Sequence, residues 1–416
     1  MSHKIVIVGG CGHAGLPLGL AFASRGQIVT LLDIDAQKVA KVNSGRMPFM
    51  EEGAEEVLRR FIGQRLTATQ DTVCLRDAGA VIAVVGTPVG QHLNPTIKEV
   101  YRSVDALLDS MKEGALLVLR STVYPGVTKL VQERVLRRQR NIPVAYCPER
   151  IAEGKAMREL FELPQIVASF TPDGQEAACE LFNILGIEII PLEPLEAELA
   201  KLFTNSWRYL NFAISNQFYL LAQSHGMDFD RIHDAVTRNY PRMRAFARAG
   251  FAAGPCLLKD TLQLSAFSGN SFFLGHAAML VNEGLPNFIV TQLRPQGLSS
   301  KKVALLGMAF KGNSDDGRES LSYKLKNLLE VEAKEVCCTD PYVPDPNLVP
   351  LDEAVARADI IILGAPHTVY RDLRFTPDKT IVDVWGFWPR PQAAVAAGEH
   401  AAAGRSSEHR RESSAL

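Results

Sequence analysis

The chain has 416 residues, a length that fits two or three domains with their own cores and excludes a single small module. Its net charge of −1, from 45 basic and 46 acidic residues, provides no long-range field that would attract nucleic acid or an anionic membrane. We therefore expect neither as a partner, and local geometry must hold any phosphate on a ligand.

The cysteine content and the apolar runs indicate the compartment. The seven cysteines are an odd set without C-x-x-C pairs or the Cys/His spacings of zinc sites, so neither a disulfide framework nor a metal is predicted. No run is apolar for long enough to span a bilayer, and the N-terminus enters a strand-like pattern without a leader. These features predict a cytoplasmic protein in a reducing environment.

The first part of the sequence predicts a βαβ unit followed by further strands. The strand-like run Lys4–Val8 leads into a glycine-rich turn and an apolar stretch at 16–23, and a second strand, Ile28–Leu32, ends at Asp33. Strand-like runs recur at 80–85, Leu116–Leu119 and Val144–Tyr146, with helical patterns between them. This alternation predicts a doubly wound parallel sheet over residues 1–190.

The middle of the sequence has helical periodicity. Apolar residues recur at helical spacing over 195–225, and Gly226 is a candidate C-cap. An unbroken helix of about 31 residues would be about 46 Å long, enough to join two domains and to offer a face for dimerisation. Helical pattern continues to about residue 293, with an interruption at Gly254 and Pro255. We expect a helical domain over 191–295 and a homodimer or higher homo-oligomer.

Strand and helix patterns alternate again after Lys301. Strand-like runs at 303–306, 336–339, Ile360–Leu363 and 380–384, with a helical pattern at 321–329, predict a second α/β domain over 296–390. Residues 391–416 have no apolar period and predict a disordered tail. The predicted fold class is α/β, with two doubly wound Rossmann-like domains joined by a long central helix and a helical middle domain.

The first glycine-rich turn has the G-x-G-x-x-G spacing of dinucleotide-binding loops and lies between a strand and a helix. Asp33 ends the second strand, where a carboxylate can bind ribose hydroxyls and disfavours a 2′-phosphate. A tight turn without a ligand is the alternative, but the matched aspartate favours NAD as the cofactor. The residues expected to bind it are Gly10, Gly12, His13, Ala14, Gly15, Asp33, Lys38, Gly86, Thr87, Pro88, Ser121 and Thr122.

One cysteine stands apart from the others because of its surroundings. Cys256 directly follows Gly254 and Pro255 and begins a helical pattern. A helix N-terminus lowers the pKa of a thiol from its free value of about 8.5, so we expect Cys256 to be substantially thiolate at neutral pH. Asp260 lies one helical turn later on the same face.

Six motifs occur along the chain in a fixed order. They are GCGHAGLPLG (10–19), STVYPGVT (121–128), CPERIAEGKA (147–156), AELAKLFTNSWR (197–208), GFAAGPCLLKD (250–260) and GMAFKGNSDDGRES (307–320). With these motifs the chain resembles the UDP-glucose and GDP-mannose dehydrogenase family over roughly residues 4 to 389. The resemblance implies an NAD-dependent enzyme that oxidises the C6 hydroxymethyl of a nucleotide-diphosphate sugar twice, to the carboxylate, through a thioester on Cys256.

The resemblance also implies roles for individual residues. Lys201 and Asn205 match residues that stabilise the alkoxide and the oxyanion. Asp260 and Thr122 match a pair that orders a water. Glu149 matches a carboxylate of thioester hydrolysis, and with Cys256 these are the expected catalytic residues. The expected substrate-binding residues are Glu149, Lys201, Asn205, Arg242, Arg244, Gly250, Phe251, Gly254, Phe310, Lys311 and Arg318, of which Arg242 or Arg244 would reach the nucleotide of a neighbouring subunit.

The sugar and its base stay open at this point. In UDP-glucose enzymes the segment that ends at the cysteine commonly has the sequence G-F-G-G-S-C. Residues 250–256 here have the sequence GFAAGPC, which implies a stiffer loop around the sugar. The leading expectation is oxidation of UDP-glucose to UDP-glucuronate for polysaccharide or other glycosylation. UDP-N-acetylmannosamine, UDP-N-acetylglucosamine and dTDP-glucose are alternatives.

Two other classes of protein compete with this reading of the sequence. One is a catalytically silent sensor that binds NAD and a nucleotide sugar, and the retained set of Cys256, Lys201, Asn205 and Asp260 argues against it. The other is a two-electron hydroxyacid dehydrogenase, which has no use for a positioned cysteine.

Overall fold

The computed structural model describes residues 4–84 and 97–389. The predicted cofactor residues Gly86, Thr87 and Pro88 and the predicted tail at 391–416 lie outside these ranges. The strands are β1 (Lys4–Val8), β2 (Ile28–Leu32), β3 (Leu66–Thr69), β4 (Ala80–Ala83), β5 (Leu116–Leu119), β6 (Val144–Tyr146), β7 (Gln165–Ser169), β8 (Ile189–Pro191), β9 (Lys302–Leu306), β10 (Glu335–Thr339), β11 (Ile360–Leu363) and β12 (Thr380–Val382).

Helices fill the sequence between most of these strands. They are α1 (Gly15–Ser24), α2 (Ala36–Asn43), α3 (Ala54–Phe61), α4 (Ile97–Ser110), α5 (Val127–Arg137), α6 (Ala156–Glu162), α7 (Pro172–Asn183), α8 (Pro194–Ser224), α9 (Phe229–Thr237), α10 (Leu257–Phe267), α11 (Phe273–Leu293), α12 (Leu321–Glu332) and α13 (Leu351–Arg357). The described part of the chain has no helix with the length and apolar character needed to cross a bilayer.

The first eight strands form one sheet in the order β3-β2-β1-β4-β5-β6-β7-β8. Side chains alternate between the two faces of a strand, so Ile5 and Ile7 of β1 join one apolar core and Val6 joins the core on the opposite face. Strands β2 and β3 lie on one side of β1 and β4 lies on the other, so the strand order reverses between β1 and β4. Such a reversal creates a ligand crevice beyond the carboxyl ends of the strands.

The second sheet has the order β10-β9-β11-β12, and all of its pairings are parallel. Helices alternate with the strands of both sheets, which confirms the predicted α/β class with two Rossmann-like units. One pairing in the first sheet differs from the prediction of a parallel sheet. The chain after β6 turns back on itself, so β7 runs antiparallel to β6.

The long helix α8 joins the two halves of the molecule, as predicted. It begins with Pro194, whose missing N–H needs no partner in a first helical turn, and Glu193 and Glu196 form a capping box there. Helices α10 and α11 both pack on α8, and α11 also packs on α12 beside the second sheet. The middle helices therefore connect the two α/β units and bring the cysteine motif between them.

Candidate active site

The predicted dinucleotide loop lies at the reversal of the first sheet, between β1 and α1. An added Cβ on Gly10 would lie 2.6 Å from the Ile7 carbonyl oxygen, and one on Gly15 would lie 2.5 Å from the Gly9 oxygen. On Gly12 the nearest atom would be 3.4 Å away, so this position has more room. The glycines allow the tight turn that leads through His13 and Ala14 into α1, and the binding of a pyrophosphate by these residues stays a prediction.

Asp33 lies beside this loop at the end of β2, and its role in binding ribose stays a prediction. Its Oδ2 accepts a hydrogen bond from the Cys11 backbone N–H at 2.9 Å, and its Oδ1 accepts one from Asp35 at 3.1 Å. Lys38 follows in α2, where its ammonium lies 3.7 Å from the Asp35 carboxylate. These contacts fix Asp33 against the glycine-rich loop, which fits the arrangement needed for a dinucleotide.

Ser121 and Thr122 follow β5, and the segment that carries them is anchored to the central helix. The carboxylate of Glu198, on α8, accepts hydrogen bonds from the backbone N–H groups of Gly126 at 2.5 Å and Thr128 at 2.8 Å. It also accepts one from the Thr128 hydroxyl at 2.6 Å. The loop after β5 is therefore positioned by the same helix that carries two of the predicted catalytic residues.

Helices α8 and α10 bring the predicted catalytic residues together. The Asn205 Nδ2 group on α8 donates a hydrogen bond to Oδ2 of Asp260 on α10 at 2.5 Å, and Asp260 is fully buried. Cys256 is the N-cap of α10, and its carbonyl accepts the Asp260 backbone N–H. Lys201 is 9% exposed, and the negative charges that act on it come from Asp260, Glu149 and Cys256. Residues from three distant motifs thus share one site.

Two pKa shifts in this site have the same main cause. The Cys256 thiol can be reached from solvent, but the protein surrounding it raises its pKa, and the charge of Asp260 raises it further. Burial also lowers the pKa of Lys201, against the opposing effect of the nearby negative charges. The thiol pKa corrects the sequence-based expectation of a substantial thiolate, because burial outweighs the stabilising field of the helix N-terminus.

Glu149 is held by several partners. Its Oε2 is 2.5 Å from Nη2 of the buried Arg120. Its Oε1 accepts the backbone N–H groups of Arg150 at 2.7 Å and Ile151 at 2.8 Å. Glu149 is therefore built into a fixed network of charges and hydrogen bonds, and its part in thioester hydrolysis stays a prediction.

The second α/β unit supplies one wall of the site. Phe310 lies so close to Gly254 of the cysteine loop that an added Cβ there would be 2.6 Å from the Phe310 ring, and the φ angle of Gly254 is +99°. At Gly250 an added Cβ would lie 2.3 Å from the Trp385 ring, which also contacts Phe251 edge-on. Four of the predicted substrate-binding residues thus meet where this unit covers the cysteine loop.

Lys311 and Arg318 extend from the same unit toward the first sheet. The Lys311 ammonium donates a hydrogen bond to the carbonyl oxygen of Glu153. The Arg318 guanidinium donates to both oxygens of Asp316, and its Nη2 lies 3.7 Å from the Glu153 carboxylate. Both predicted cations therefore lie between the two units, where they could meet a diphosphate.

Three models of one protein family match the chain. The NAD-binding domain of the UDP-glucose/GDP-mannose dehydrogenase family matches residues 3–185, its central domain matches 195–283, and its UDP-binding domain matches 304–390. The chain belongs to this family. It is therefore an NAD-dependent nucleotide-sugar dehydrogenase, while the division of the chain at residues 190 and 295 stays a prediction.

Individual relatives support the same assignment. The UDP-N-acetyl-D-mannosamine dehydrogenase of Pyrococcus horikoshii is 28% identical over 89% of this chain and 91% of its own length. The enzyme of that name from Escherichia coli K12 is 27% identical over 93% of this chain and 100% of its own length. The structure of a UDP-glucose dehydrogenase from Pyrobaculum islandicum is similar with a TM-score of 0.82 at 25% identity, covering 94% of this chain and 98% of that one.

Glu153 is a candidate site residue that the sequence analysis missed. Its Oε2 is buried and has no hydrogen-bond partner among the described residues. Burial raises its pKa to about 7, with a further contribution from Asp316, and its charge acts on the Cys256 thiol. It belongs to the CPERIAEGKA motif four positions after Glu149, but the motif alone gave no reason to prefer one carboxylate over the other.

Arg242 lies in the short 3-10 helix Pro241–Met243, and Arg244 directly follows this helix. Both are exposed, and Arg242 donates a hydrogen bond to the Tyr240 hydroxyl at 3.3 Å. Their reach toward the nucleotide of a neighbouring subunit stays a prediction.

One group of possible metal ligands occurs among residues 4–84 and 97–389. Ligand atoms of His13, Glu153 and Asp316 lie within 4.8 Å of one another. A cation already lies beside both carboxylates of this group, because Arg318 is bonded to Asp316 and its Nη2 lies 3.7 Å from the Glu153 carboxylate. Burial and the charge of Arg318 also lower the pKa of His13 to about 4. The group therefore gives no reason to add a metal, and the expected lack of one stays a prediction.

Proposed function

We propose that this family member oxidises the C6 hydroxymethyl group of its nucleotide sugar twice, to the carboxylate, through a thioester on Cys256. The observation that carries the proposal is the position of Cys256 beside Lys201 and beside the hydrogen-bonded pair of Asn205 and Asp260. A dehydrogenase that stopped at the aldehyde would have no use for a thiol among these groups. NAD, when bound, accepts the hydride that each oxidation removes.

In the first oxidation the sugar hydroxyl loses its proton while its carbon loses a hydride. The Lys201 ammonium stabilises the developing alkoxide by its charge. Asp260, which with Thr122 is assigned to order a water, receives the hydroxyl proton through that water. Asp260 suits this task because Asn205 occupies its Oδ2 while its Oδ1 has no hydrogen bond among the described residues.

In the second oxidation Cys256 retains the aldehyde. Its sulfur adds to the carbonyl carbon while the thiol proton passes to the aldehyde oxygen. The thiohemiacetal then loses this hydroxyl proton to the ordered water and a hydride from its carbon, and so becomes a thioester. Asn205 has two amide protons, of which one binds Asp260, so the other is available to stabilise the oxyanion. The raised thiol pKa means that Cys256 loses its proton only as the carbon–sulfur bond forms.

Glu153 is the carboxylate that we assign to hydrolysis of the thioester. A base with a pKa of about 7 is half ionised at neutral pH, and its Oε2 is available to take a proton from the attacking water. The tetrahedral intermediate then expels the Cys256 thiolate, which regains a proton. Glu149 is the alternative base, but its oxygens already accept from Arg120, Arg150 and Ile151.

We assign UDP-N-acetylmannosamine as the first candidate substrate, because two relatives that span nearly this whole chain carry that name. UDP-glucose, the leading expectation from sequence, is the second candidate, because a UDP-glucose dehydrogenase has a similar fold over 94% of the chain. The loop at 250–256, with Ala252 and Ala253 before Gly254, forms part of the surface that would distinguish the two sugars. The acid product would serve polysaccharide synthesis or another glycosylation.

The test is a count of NADH formed per sugar consumed with UDP-N-acetylmannosamine, UDP-N-acetylglucosamine, UDP-glucose, dTDP-glucose and GDP-mannose. Two NADH per sugar with the wild type, and loss of the second in Cys256→Ala, are expected. Cys74→Ala, at a cysteine remote from the site, is the matched control and should behave as wild type. One NADH per sugar in both the wild type and Cys256→Ala would exclude the thioester, and NADH from no sugar would favour the silent sensor.

We also propose that the chain forms a homodimer through α8. Five exposed apolar residues follow one another along this helix at intervals of three, four or seven residues. They are Phe203, Trp207, Ile214, Phe218 and Leu221. Such a stripe is the pattern by which helices pair. Trp207→Glu should shift the mass measured by light scattering toward the monomer, whereas Val331→Glu, at an exposed apolar residue on α12, should not. A monomeric wild type would refute the dimer.

A further inference from the structure

A buried histidine–aspartate pair lies behind the loop that carries Lys311. The side chains of His367 and Asp340 are both 0% exposed, and His367 Nε2 is 2.9 Å from Asp340 Oδ2. Asp340 follows β10 and His367 follows β11, so the pair forms at the carboxyl edge of the second sheet. Neither residue belongs to the motifs of the catalytic site, and the proposed chemistry does not use them.

The hydrogen bonds define the state of both side chains. Asp340 Oδ2 also accepts the backbone N–H groups of Met308 at 2.6 Å and Ala309 at 3.0 Å. Burial alone would raise the pKa of Asp340, but the hydrogen bond from His367 and those from backbone N–H groups outweigh this effect and lower that pKa. Since this carboxylate only accepts, His367 carries its proton on Nε2, and its Nδ1 accepts the Asn313 N–H at 2.9 Å.

The pair therefore fixes the backbone on both sides of two substrate-facing residues. Asp340 holds positions 308 and 309, and His367 holds Asn313. Between them lie Phe310, which packs on Gly254 of the cysteine loop, and Lys311, which bonds the Glu153 carbonyl. A shift of the anchored segment would move the wall of the cysteine loop and the cation beside Glu153 together.

We propose that His367 and Asp340 are positioning residues for nucleotide-sugar binding. They act through the segment 308–313. Because their hydrogen bonds order the backbone of this segment before the ligand arrives, its ordering adds no entropic cost to binding. The assignment of Lys311 to the ligand rests on the proposed function. The pair therefore raises the affinity of the protein for the nucleotide sugar, and this effect is distinct from a general contribution to folding.

The decisive variant is His367→Phe, which keeps an aromatic ring between Tyr342 and Tyr370 but can neither accept from Asn313 nor donate to Asp340. We expect the KM for the nucleotide sugar and the Kd for UDP, measured by calorimetry, to rise about tenfold or more, because the released segment must then be ordered when the ligand binds. A tenfold rise in Kd corresponds to about 1.4 kcal/mol of binding free energy. The Kd for NAD should stay unchanged. His367→Gln, whose carbonyl can accept from Asn313, should restore part of the affinity.

Tyr370→Phe is the matched control, because this buried ring packs on His367 but its hydroxyl reaches only the Thr339 carbonyl, at 3.5 Å. It should leave both constants unchanged. Wild-type affinity for UDP and for the sugar in folded His367→Phe would overturn the proposal, as would equal losses in the control. If the wild type binds UDP but oxidises no sugar, the proposed function fails while the UDP affinities still decide the role of the pair.

A second variant keeps the proposal testable if His367→Phe does not fold. Asn313 is bonded on the protein surface to Thr368, through its Nδ2 at 2.7 Å and its Oδ1 at 2.8 Å, and has a φ angle of +54°. Asn313→Gly tolerates this φ and keeps the N–H that binds His367, but loses both side-chain bonds. It should weaken UDP binding in the same direction by a smaller factor, and an unchanged affinity would count against the proposal.

Discussion

Asn205 and Asp260 join the two helices that carry the candidate catalytic residues, through a hydrogen bond of 2.5 Å between Nδ2 and Oδ2. Asp260 is fully buried, and its other oxygen lies 3.6 Å from the Lys259 ammonium. A carboxylate in this position depends on its amide partner, because burial without a donor is unfavourable. The bond therefore couples the packing of α8 on α10 to the charge beside Cys256.

The first prediction concerns the loss of this donor. Asn205→Leu has a similar volume but leaves Asp260 Oδ2 unpaired, so unfolding in denaturant should show a stability loss of about 1–3 kcal/mol. Turnover should fall by about 10²–10³, the usual effect of removing one oxyanion donor. Thr204→Ala is the control, because the Thr204 hydroxyl bonds only the Ala200 carbonyl of the same helix. Normal turnover in Asn205→Leu would exclude Asn205 as the oxyanion donor.

The second prediction concerns the protonation of Cys256, the one exposed cysteine of the seven. Because burial and the charge of Asp260 raise its pKa, its rate of alkylation should reach half its maximum only at a higher pH than that of a free cysteine. Asp260→Asn removes a charge that raises this pKa, so the midpoint should move down. Lys259→Met removes a charge that lowers it, so the midpoint should move up. Mass spectrometry of the modified cysteine measures both, and a midpoint near neutral pH would restore the thiolate expected from sequence.

The third prediction concerns Glu153 as the hydrolytic base. With its pKa at about 7, thioester hydrolysis in the wild type should slow as the pH falls below about 7, because the protonated acid cannot accept a proton. Glu153→Gln should accumulate a covalent adduct on Cys256 after NADH has formed, detectable by intact mass. Glu56→Gln, at an exposed residue of α3, is the control. Absence of the adduct in Glu153→Gln would favour Glu149 instead.

The same carboxyl gives a stability signature with a definite sign. The pKa of Glu153 in the folded protein lies above its ordinary value of 4.5, so its contribution to stability is complete below that value and is lost as the pH rises through about 7. Glu153→Gln lacks this dependence. Its melting temperature relative to the wild type should therefore be higher at about pH 8 than at about pH 5.

Local sequence patterns predicted most of the fold. The strands with unbroken apolar runs, such as Ile360–Leu363, and the long helix α8 follow directly from periodicity. The strands β3, β7 and β8 were not predicted, because β3 and β7 contain polar residues and β8 has only three residues and ends at proline. The antiparallel pairing of β7 depends on how the chain returns to the sheet, and no local pattern reports that direction.

The candidate site was predictable where one motif carried the information. Cys256 and Asp260 lie one helical turn apart, and their motif identified both, but the raised pKa of the thiol comes from the surrounding protein. The pair of Asp340 and His367 escaped the sequence analysis because its members follow two different strands. Such a pair is visible only once the sheet brings the ends of β10 and β11 together.

The fourth prediction concerns Gly254, where the cysteine loop touches the second α/β unit. Gly254→Ala places a methyl group 2.6 Å from the Phe310 ring on a backbone with φ of +99°, so both the ring and the loop must move. Turnover should fall at least tenfold, because displacing a reacting group by about 1 Å can lower a rate by about 10²-fold. Gly284→Ala is the matched control, because no atom lies within 4 Å of its added Cβ in α11. That change should leave turnover intact and stabilise the protein by about 1 kcal/mol, since alanine is the better helix former. Equal turnover in the two variants would mean that contact with Phe310 does not set the position of Cys256.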